Sequence, residues 1–279
     1  MKRNWLYNST VFITGATSGI GKELTKLFIE KYNCFVIVGA RNENELIKFK
    51  NSFGEKSINF DYVLLDITKI SDWENSLKLV EERGYQVDML INNAGALPRF
   101  DKFCNYNFKE FDKNLQVNFM GAVYGCGIFI KHLVNSKNPA IINISSSAAC
   151  APMVGNSIYS ASKAALKAYT EVMREELRGQ VYVGLVCPGT TKTNVFRNQD
   201  QESINATNKV GMSPVKMAKK ITARLKIKRK RMIVGWDSIL MDGLYRLTPV
   251  TTLNMFNIPL KSLPAYKKVF EKVKDDGKR

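Results

Sequence analysis

Apolar residues follow two different spacings along this chain. Seven short, nearly continuous apolar runs have the composition of buried strands: residues 11–13, 35–38, 62–65, 87–92, 140–144, 181–186 and 232–234. Between the first two runs, Ile20, Leu24, Leu27 and Phe28 recur at helical spacing, with charged residues on the other face. Strands that are apolar throughout and alternate with helices predict an α/β fold, a doubly wound parallel sheet of the Rossmann type in a single domain.

Helical spacing also predicts the later helices: residues 44–50, 72–82, 108–132, 157–177 and 214–226. Gly121, Gly125 and Gly127 are candidates to interrupt the third of these. The polar segment 192–213 is predicted to be a mobile loop in a position where lids often occur. We expect a catalytic domain over residues 1–235 and a C-terminal extension of short helices over 236–279, which prolines break.

A glycine-rich turn follows the first strand directly and opens the first helix. Residues 14–21 read TGATSGIG. Glycines let a backbone turn tightly and approach a pyrophosphate, and the free N–H groups of a helix N-terminus favour its charge. The spacing is neither the G-x-G-x-x-G of larger dinucleotide-binding dehydrogenases nor that of a P-loop. The predicted phosphate contacts are Gly15, Thr17, Ser18, Gly19, Ile20 and Gly21.

Arg41 stands just after the second strand, which has no acidic residue at its end. In dinucleotide folds this position meets the adenosine ribose. A carboxylate there would repel a 2′-phosphate, whereas an arginine would pair with it. The sequence therefore favours NADP(H) over NAD(H).

Tyr159 and Lys163 are spaced by four residues, so a helix would place the phenol and the ammonium on one face. A nearby cation favours the phenolate and prepares tyrosine for proton exchange. Ser146 lies thirteen residues upstream, after the fifth strand, where a doubly wound sheet binds its ligands. We expect one of Ser145, Ser146 and Ser147, by spacing Ser146, to hold a substrate oxygen while Tyr159 transfers the proton.

Six motifs together resemble those of the short-chain dehydrogenase/reductase family, in the same order, from about residue 9 to residue 235. They are TGxxxGIG at 14–21, NNAG at 92–95, Asn118, Ser146, YxxxK at 159–163 and PG at 188–189. The resemblance implies an NAD(P)(H)-dependent oxidoreductase that interconverts a small-molecule secondary alcohol and a ketone or aldehyde by hydride transfer. It also implies a homodimer or homotetramer, paired through helices 108–132 and 157–177.

The resemblance assigns roles to particular residues. Tyr159 would be the general acid in reduction and the base in oxidation, Lys163 would bind the nicotinamide ribose and lower the pKa of Tyr159, and Ser146 would position the carbonyl. Asn118 would hold a water molecule of a proton relay. The further cofactor contacts would be Asp66 at the adenine amine, Asn92 beneath the cofactor, Pro188, Gly189, Thr191 and Thr193 at the carboxamide, and Ile67, Ala94 and Gly95.

The formal net charge of +17 favours phosphorylated cofactors, anionic lipid and, less specifically, nucleic acid, although a solvated lysine-rich surface is the simpler explanation. His132 is the single histidine, so no metal site is expected. The five cysteines show no CxxC spacing, and no apolar stretch has the length of a signal-peptide core or a membrane span. These features predict a cytoplasmic protein.

A basic tract over residues 216–231 contains nine lysines and arginines, and an apolar segment over 236–247 follows it. Three uses stay open: a solvated helix face, peripheral contact with an anionic membrane, and closure over an apolar substrate pocket. The alternative to an enzyme is a non-catalytic, cofactor-binding module that attaches to an anionic membrane through this tract.

Overall fold

The sheet of this protein has seven parallel strands in the order β3-β2-β1-β4-β5-β6-β7. A computed structural model describes residues 4–196, 199, 201–261, 266 and 269–271. The strands are β1 (Thr10–Thr14), β2 (Phe35–Ala40), β3 (Phe60–Leu64), β4 (Met89–Asn92), β5 (Ala140–Ile144), β6 (Tyr182–Pro188) and β7 (Arg231–Val234). Every predicted strand is present, with ends that move by at most two residues, and the doubly wound parallel sheet is confirmed.

Helices cover both faces of this sheet. They are α1 (Gly19–Tyr32), α2 (Glu43–Asn51), α3 (Ile70–Glu82), α4 (Phe108–Leu115), α5 (Gly121–Leu133), α6 (Ser157–Glu176), α7 (Gln201–Val210), α8 (Pro214–Lys226), α9 (Trp236–Leu247) and α10 (Pro249–Lys261). On one face α1 packs against α8 through side chains such as Phe28 and Leu225. On the other face Phe12, Trp73 and Phe129 form the centre of an aromatic core.

Two predictions about regular structure were wrong. Residues 192–213 are not a continuous loop, because they include the ten-residue helix α7. Only Ile204 and Val210 are large apolar residues within α7, so its helical periodicity is too weak to read. The glycines of the segment 108–132 do not interrupt it either. A methyl group at Gly125 would lie 2.6 Å from the ring of Trp73, so this glycine permits close packing inside a continuous helix.

The irregularity of that long helix lies just before Gly121. Residues Gln116–Met120 form one π turn between α4 and α5. A π turn accommodates an additional residue within a helix and is frequent at functional sites. Here the π turn contains Asn118, whose side chain is buried.

The chain reverses its direction across the sheet between β1 and β4, since β1 pairs with β2 on one side and with β4 on the other. In open parallel sheets ligands bind at such a reversal, outside the carboxyl ends of the strands. The turns that follow β1, β4, β5 and β6 meet at this edge.

Candidate active site

A cleft of about 1270 Å³ lies along the carboxyl ends of the strands. Most of the predicted site residues line it: Gly15, Thr17, Ser18, Gly19, Ile20, Arg41, Asp66, Ile67, Ala94, Gly95, Ser146, Tyr159, Lys163, Pro188, Gly189, Thr191 and Thr193. The ends of six strands, β1 to β6, and the first turns of α6 contribute these residues, so the sheet topology brings together positions that are far apart in sequence. Gly21, Asn92 and Asn118 are predicted site residues that do not line it.

The glycine-rich turn after β1 is held against the turn after β4. Gly15 has φ +65°, and a methyl group there would lie 2.7 Å from the Cα atom of Ala94. The side-chain amide of Asn93 donates to the carbonyl oxygens of Thr14 and Gly15, at 2.9 Å each. Thr14 Oγ1 accepts from the N–H of Ala94 at 3.1 Å. The two turns therefore form one unit at the mouth of the cleft.

The first turn of α1 suits an anion. Ser18 precedes the helix without a side-chain hydrogen bond to its N–H groups, and the first turn carries no acidic residue. Four N–H groups at a helix start have no partner within the helix, and the helix dipole favours negative charge beside them. Together with the space left at Gly15, this uncapped helix start fits a pyrophosphate group.

Arg41 and Asp66 lie at the adenosine end of the cleft. Arg41 is exposed after β2. Burial by itself raises the pKa of Asp66, but hydrogen bonds from the backbone N–H and hydroxyl of Thr68 and the charges of Arg41 and Lys69 outweigh it and lower the pKa. Both hydrogen bonds go to Oδ1, at 3.1 and 2.8 Å. Asp66 is therefore a fixed carboxylate at neutral pH.

Ser146 and Tyr159 meet at the centre of the cleft. Ser146 follows β5 and begins a short 3₁₀ turn, in which its hydroxyl accepts from the N–H of Ala148 at 3.2 Å. Tyr159 lies in the first turn of α6. Burial raises the pKa of Tyr159, and its hydrogen bond with Ser146 offsets part of this rise. The hydroxyl of the neighbouring Ser145 instead donates to the carbonyl oxygen of Lys163 at 2.8 Å.

Lys163 lies one turn further along α6 and is buried. Its Nζ donates to the carbonyl oxygen of Ile144, the last residue of β5, at 3.0 Å. Burial lowers the pKa of Lys163 to about 8. Burial is the largest cause of the shift in the Tyr159 pKa, and the lowering of that pKa by Lys163 stays a prediction.

Gly95 lies between Lys163 and the π turn. A methyl group at Gly95 would lie 3.1 Å from Asn118 Oδ1 and 3.2 Å from Lys163 Nζ. Asn118 Oδ1 accepts from the N–H of Ala96 at 2.8 Å, and its Nδ2 donates to the oxygen of Ala96 at 2.8 Å. The amide of Asn118 thus holds the turn after β4 in place from behind the cleft.

Comparison with known proteins gives concordant results. The family model for the short chain dehydrogenase matches residues 9–204. The 3-ketodihydrosphingosine reductase of Bos taurus is 29% identical over 256 residues, which cover 87% of this chain and 76% of the relative. An uncharacterized oxidoreductase of Staphylococcus saprophyticus is 30% identical, over 69% of this chain and 78% of the relative. A serine dehydrogenase complexed with NADP+ superposes with a TM-score of 0.70 at 26% identity, over 77% of this chain and 88% of that one.

The chain belongs to the short-chain dehydrogenase/reductase family. It is an oxidoreductase that acts on the alcohol or ketone group of a small molecule, with a nicotinamide cofactor. The alternative of a non-catalytic module is therefore not retained.

One asparagine of the NNAG motif is turned away from the cleft of this dehydrogenase/reductase. Asn92 is the last residue of β4, and its Nδ2 donates to Asn143 Oδ1 at 2.9 Å within the core. The next residue, Asn93, lines the cleft instead and fixes the glycine-rich turn. Side chains alternate along a strand. Because Leu90 faces the same helices as Asn92, this alternation could have identified Asn93 from the sequence.

The remaining wall of the dehydrogenase/reductase cleft was not predicted in detail. Its apolar residues are Leu97, Phe100, Met153, Val195, Phe196, Val210 and Tyr266, and its polar ones are Lys113, Asn156, Asn194, Asn205 and Lys209. The rings of Phe100 and Tyr266 stack with centroids 5.4 Å apart. Gln199 connects two segments, because its side chain accepts from the N–H of Phe100 at 2.9 Å and donates to the oxygen of Pro98 at 2.7 Å. These residues are distant in sequence, and no local pattern marks them.

The turn after β6 is fastened by α9. Asp237 Oδ2 accepts from the N–H of Thr190 at 2.7 Å, and Ser238 Oγ donates to the oxygen of Cys187 at 3.2 Å. A methyl group at Gly189 would collide with the carboxylate of Asp237.

Within the part of the chain that the structure describes, no helix combines the length and the apolar character needed to cross a bilayer.

Proposed function

We propose that this protein is an NADPH-preferring reductase of an apolar ketone, in which Tyr159 donates the proton. The observation that carries the proposal is the meeting of Ser146, Tyr159 and Lys163 in a cleft with an uncapped helix start at one end and an apolar wall at the other. The cofactor, when bound, supplies and accepts the hydride.

The protonated phenol of Tyr159 is suited to the role of proton donor. Reduction of a carbonyl needs a proton donor at the oxygen while hydride adds to the carbon. Burial raises the pKa of Tyr159, so the phenol carries its proton at neutral pH. Ser146 hydrogen-bonds to that phenol, and with substrate bound its hydroxyl can donate a hydrogen bond to the same carbonyl oxygen, which orients the substrate while Tyr159 supplies the proton.

Lys163 acts on the cofactor side of the reacting atoms in this proposal. One of its three N–H donors is used by Ile144, and the ammonium lies beside Gly95 at the floor of the cleft. The other two donors are available to ribose hydroxyls. Asn118 supports the same floor through Ala96, and its role in a proton relay stays a prediction.

The preference for NADPH rests on Arg41. Arg41 lines the cleft just after the end of β2, and the strand ends on Ala40 rather than on an acid. A 2′-phosphate would gain a charge-assisted hydrogen bond there. Glu45 also lines this end, where Asn42 Nδ2 lies 3.4 Å from its Oε1.

The substrate class follows from the apolar wall and from the keto substrate that the bovine relative's name states. We expect the ketone carbon to lie at Tyr159, with its apolar substituent against Phe100, Met153 and Tyr266. Assembly as a homodimer or homotetramer, the cytoplasmic location and the separate C-terminal extension stay predictions.

The first test is reduction of 3-ketodihydrosphingosine by the purified protein, followed as NADPH oxidation at 340 nm. We expect Tyr159→Phe to abolish turnover and to leave NADPH affinity within about twofold, because only the hydroxyl is removed. Tyr169→Phe is the matched control, since Tyr169 lies on the same helix away from the cleft. Turnover by Tyr159→Phe at the wild-type rate would refute the assigned role.

The second test is the charge at Arg41. We expect Arg41→Asp to shift the ratio of kcat/KM for NADPH over NADH by about tenfold or more toward NADH, as one charge-assisted pair is lost and a repulsion is introduced. Lys69→Asp is the control, because Lys69 also influences Asp66 but does not line the cleft. Equal shifts of this ratio in both variants would show that Arg41 does not determine the cofactor preference.

A further inference from the structure

Helix α9 presents its apolar side to solvent. Trp236, Ile239, Leu240 and Leu247 are between 47% and 81% exposed. With Gly243 they recur at intervals of three and four residues, so they form one stripe along the helix. A helix on the surface of a globular protein ordinarily turns such a stripe toward the core.

The side of α9 that faces the protein is instead polar. Ser238 and Asp242 are buried. Asp242 receives hydrogen bonds from both terminal nitrogens of Arg231, at 3.0 and 2.8 Å, and the hydroxyl of Ser238 donates to the oxygen of Cys187. Turning the apolar stripe inward would break these bonds and separate the carboxylate of Asp242 from the guanidinium of Arg231. The outward orientation is therefore fixed by the body of the protein.

The apolar surface continues beyond this helix. Helix α10 packs against α9 and leaves Val250, Met255 and Ile258 more than half exposed. Its sequence, PVTTLNMFNIPLK, contains no charged residue before its last position. Contiguous exposed apolar patches of this kind are uncommon on monomeric soluble proteins and mark contact surfaces.

Cations adjoin this surface. Lys228, Arg229 and Lys230 form an exposed turn before β7, and the next residue, Arg231, is the one that pairs with Asp242 of α9. Arg231 joins the turn to the C-terminal half of α9, where Arg246 is also exposed, and Lys228 itself lies over the ring of Trp5, 4.8 Å from its centroid. Between Glu202 and Asp237 the sequence contains ten basic residues and no acidic one.

We infer that the exposed stripe of α9 docks this protein onto an anionic lipid surface. Apolar side chains that include a tryptophan, with lysines and arginines beside them, are the features of helices that lie in a membrane interface. Each cation near an anionic leaflet contributes to binding. A second copy of the chain fits less well, because it would bring another basic turn and another formal charge of +17 to the same face.

The docked face is connected to the active site. The first turn of α9 holds Thr190, and Tyr266, which follows α10, lines the cleft. An apolar ketone that partitions into the bilayer would then be close to the apolar wall. Access of an apolar ketone from the bilayer to the cleft rests on the proposed function, whereas the docking itself rests on α9 and its neighbouring cations.

The test is flotation of the purified full chain with phosphatidylcholine vesicles containing about 30 mol % phosphatidylserine at about 0.1 M salt. We expect the protein to float with these vesicles and to stay behind with pure phosphatidylcholine. The double variant Ile239→Ser/Leu240→Ser should lose binding about tenfold or more, because two apolar side chains no longer enter the interface. Arg229→Ser/Lys230→Ser should lose about tenfold through charge.

Matched controls lie at the opposite edge of the sheet. Ile58→Ser removes an 80% exposed isoleucine before β3, and Lys48→Ser/Lys50→Ser removes two cations of α2. Both controls should bind vesicles like the wild type. Thermal unfolding and NADPH titration of every variant confirm that the fold and the cleft are intact.

Several outcomes would overturn the inference. They are absence of wild-type binding to the anionic vesicles, equal binding to pure phosphatidylcholine, and equal losses in the stripe variant and the Ile58→Ser control. A wild-type dimer that Ile239→Ser/Leu240→Ser converts to a monomer would make the stripe an interface between copies. Vesicle binding requires no turnover, so a failure of the proposed reductase activity would be read separately.

Discussion

Gly15 has a positive φ and also lies close to a second backbone segment. The effects of these two features on stability can be measured separately by comparing Gly15 with Gly84. Gly15→Ala introduces a methyl group at φ +65° and 2.7 Å from Ala94 Cα. Gly84→Ala introduces one at φ +73°, where no atom lies within 4 Å. Both variants force an L side chain into the left-handed region, which costs about 1–2 kcal/mol. Only Gly15→Ala also forces two chain segments apart.

The size of that second effect follows from the geometry. Carbon atoms in ordinary contact are about 3.5 Å apart, so the turns after β1 and β4 must separate by roughly 0.8 Å. That movement stretches the bonds from the Asn93 amide to Thr14 and Gly15, and each such bond contributes about 1 kcal/mol. We therefore expect Gly15→Ala to be less stable than Gly84→Ala by about 2 kcal/mol, or a Tm lower by several degrees.

Cofactor affinity gives the second measurement. Because the turn at Gly15 faces the cleft, its displacement should raise the Kd for NADPH by about tenfold or more, whereas Gly84→Ala should leave this Kd unchanged. Differential scanning fluorimetry and a fluorescence titration with NADPH follow the two quantities. Equal losses of Tm in both variants, with equal Kd values for NADPH, would refute the reasoning. They would mean that the positive φ by itself explains why glycine is needed at position 15.

Three further results are expected. Burial lowers the pKa of Lys163 to about 8, so above that pH the folded state binds fewer protons than the unfolded state. The wild type should therefore gain stability relative to Lys163→Met as the pH rises from about 8 to about 10. Urea unfolding should show a gain of at most about 3 kcal/mol. Arg231→Met should cost about 2–3 kcal/mol at pH 7, because among the described residues it leaves the carboxylate of Asp242 with Arg246 as its ion-pair partner. Arg231 lowers the pKa of Asp242, so this cost should shrink as the pH falls below about 4, and a constant cost would contradict the pairing. Gly189→Ala should raise the KM for the cofactor several-fold by displacing Asp237, and adding Asp237→Ala should recover part of the loss; no recovery would mean that the carboxylate is not the obstacle.

The parts of the fold that the sequence predicted are those encoded by local periodicity. The strands were recognisable because each is an uninterrupted apolar run, which reflects burial on both faces of the sheet. Helix α7 was missed because a polar helix at the edge of a cleft needs few apolar contacts. The glycines of α5 were misread because a sequence does not distinguish a glycine that ends a helix from one that admits Trp73.

The site was predictable where a motif fixes a spacing. Tyr159 and Lys163 share a helix face, and Ser146 follows the strand beside it, so their convergence follows from the sheet order. The outward stripe of α9 was not predictable, since its pattern is that of any amphipathic helix. The direction it faces depends on the pairing of Asp242 with Arg231, eleven residues away.

The π turn at Gln116–Met120 gives this enzyme an unusual tolerance to a change in length. In a regular helix, deletion of one residue rotates everything beyond it by about 100°. Here the turn already holds one residue more than an α-helix needs, so removing a single codon within it would regularise the helix. Helices α4 and α5 would keep their present faces toward their neighbours, and only the amide of Asn118 would leave the turn after β4. We therefore expect an in-frame deletion within the turn to fold and to detach the amide of Asn118 from Ala96.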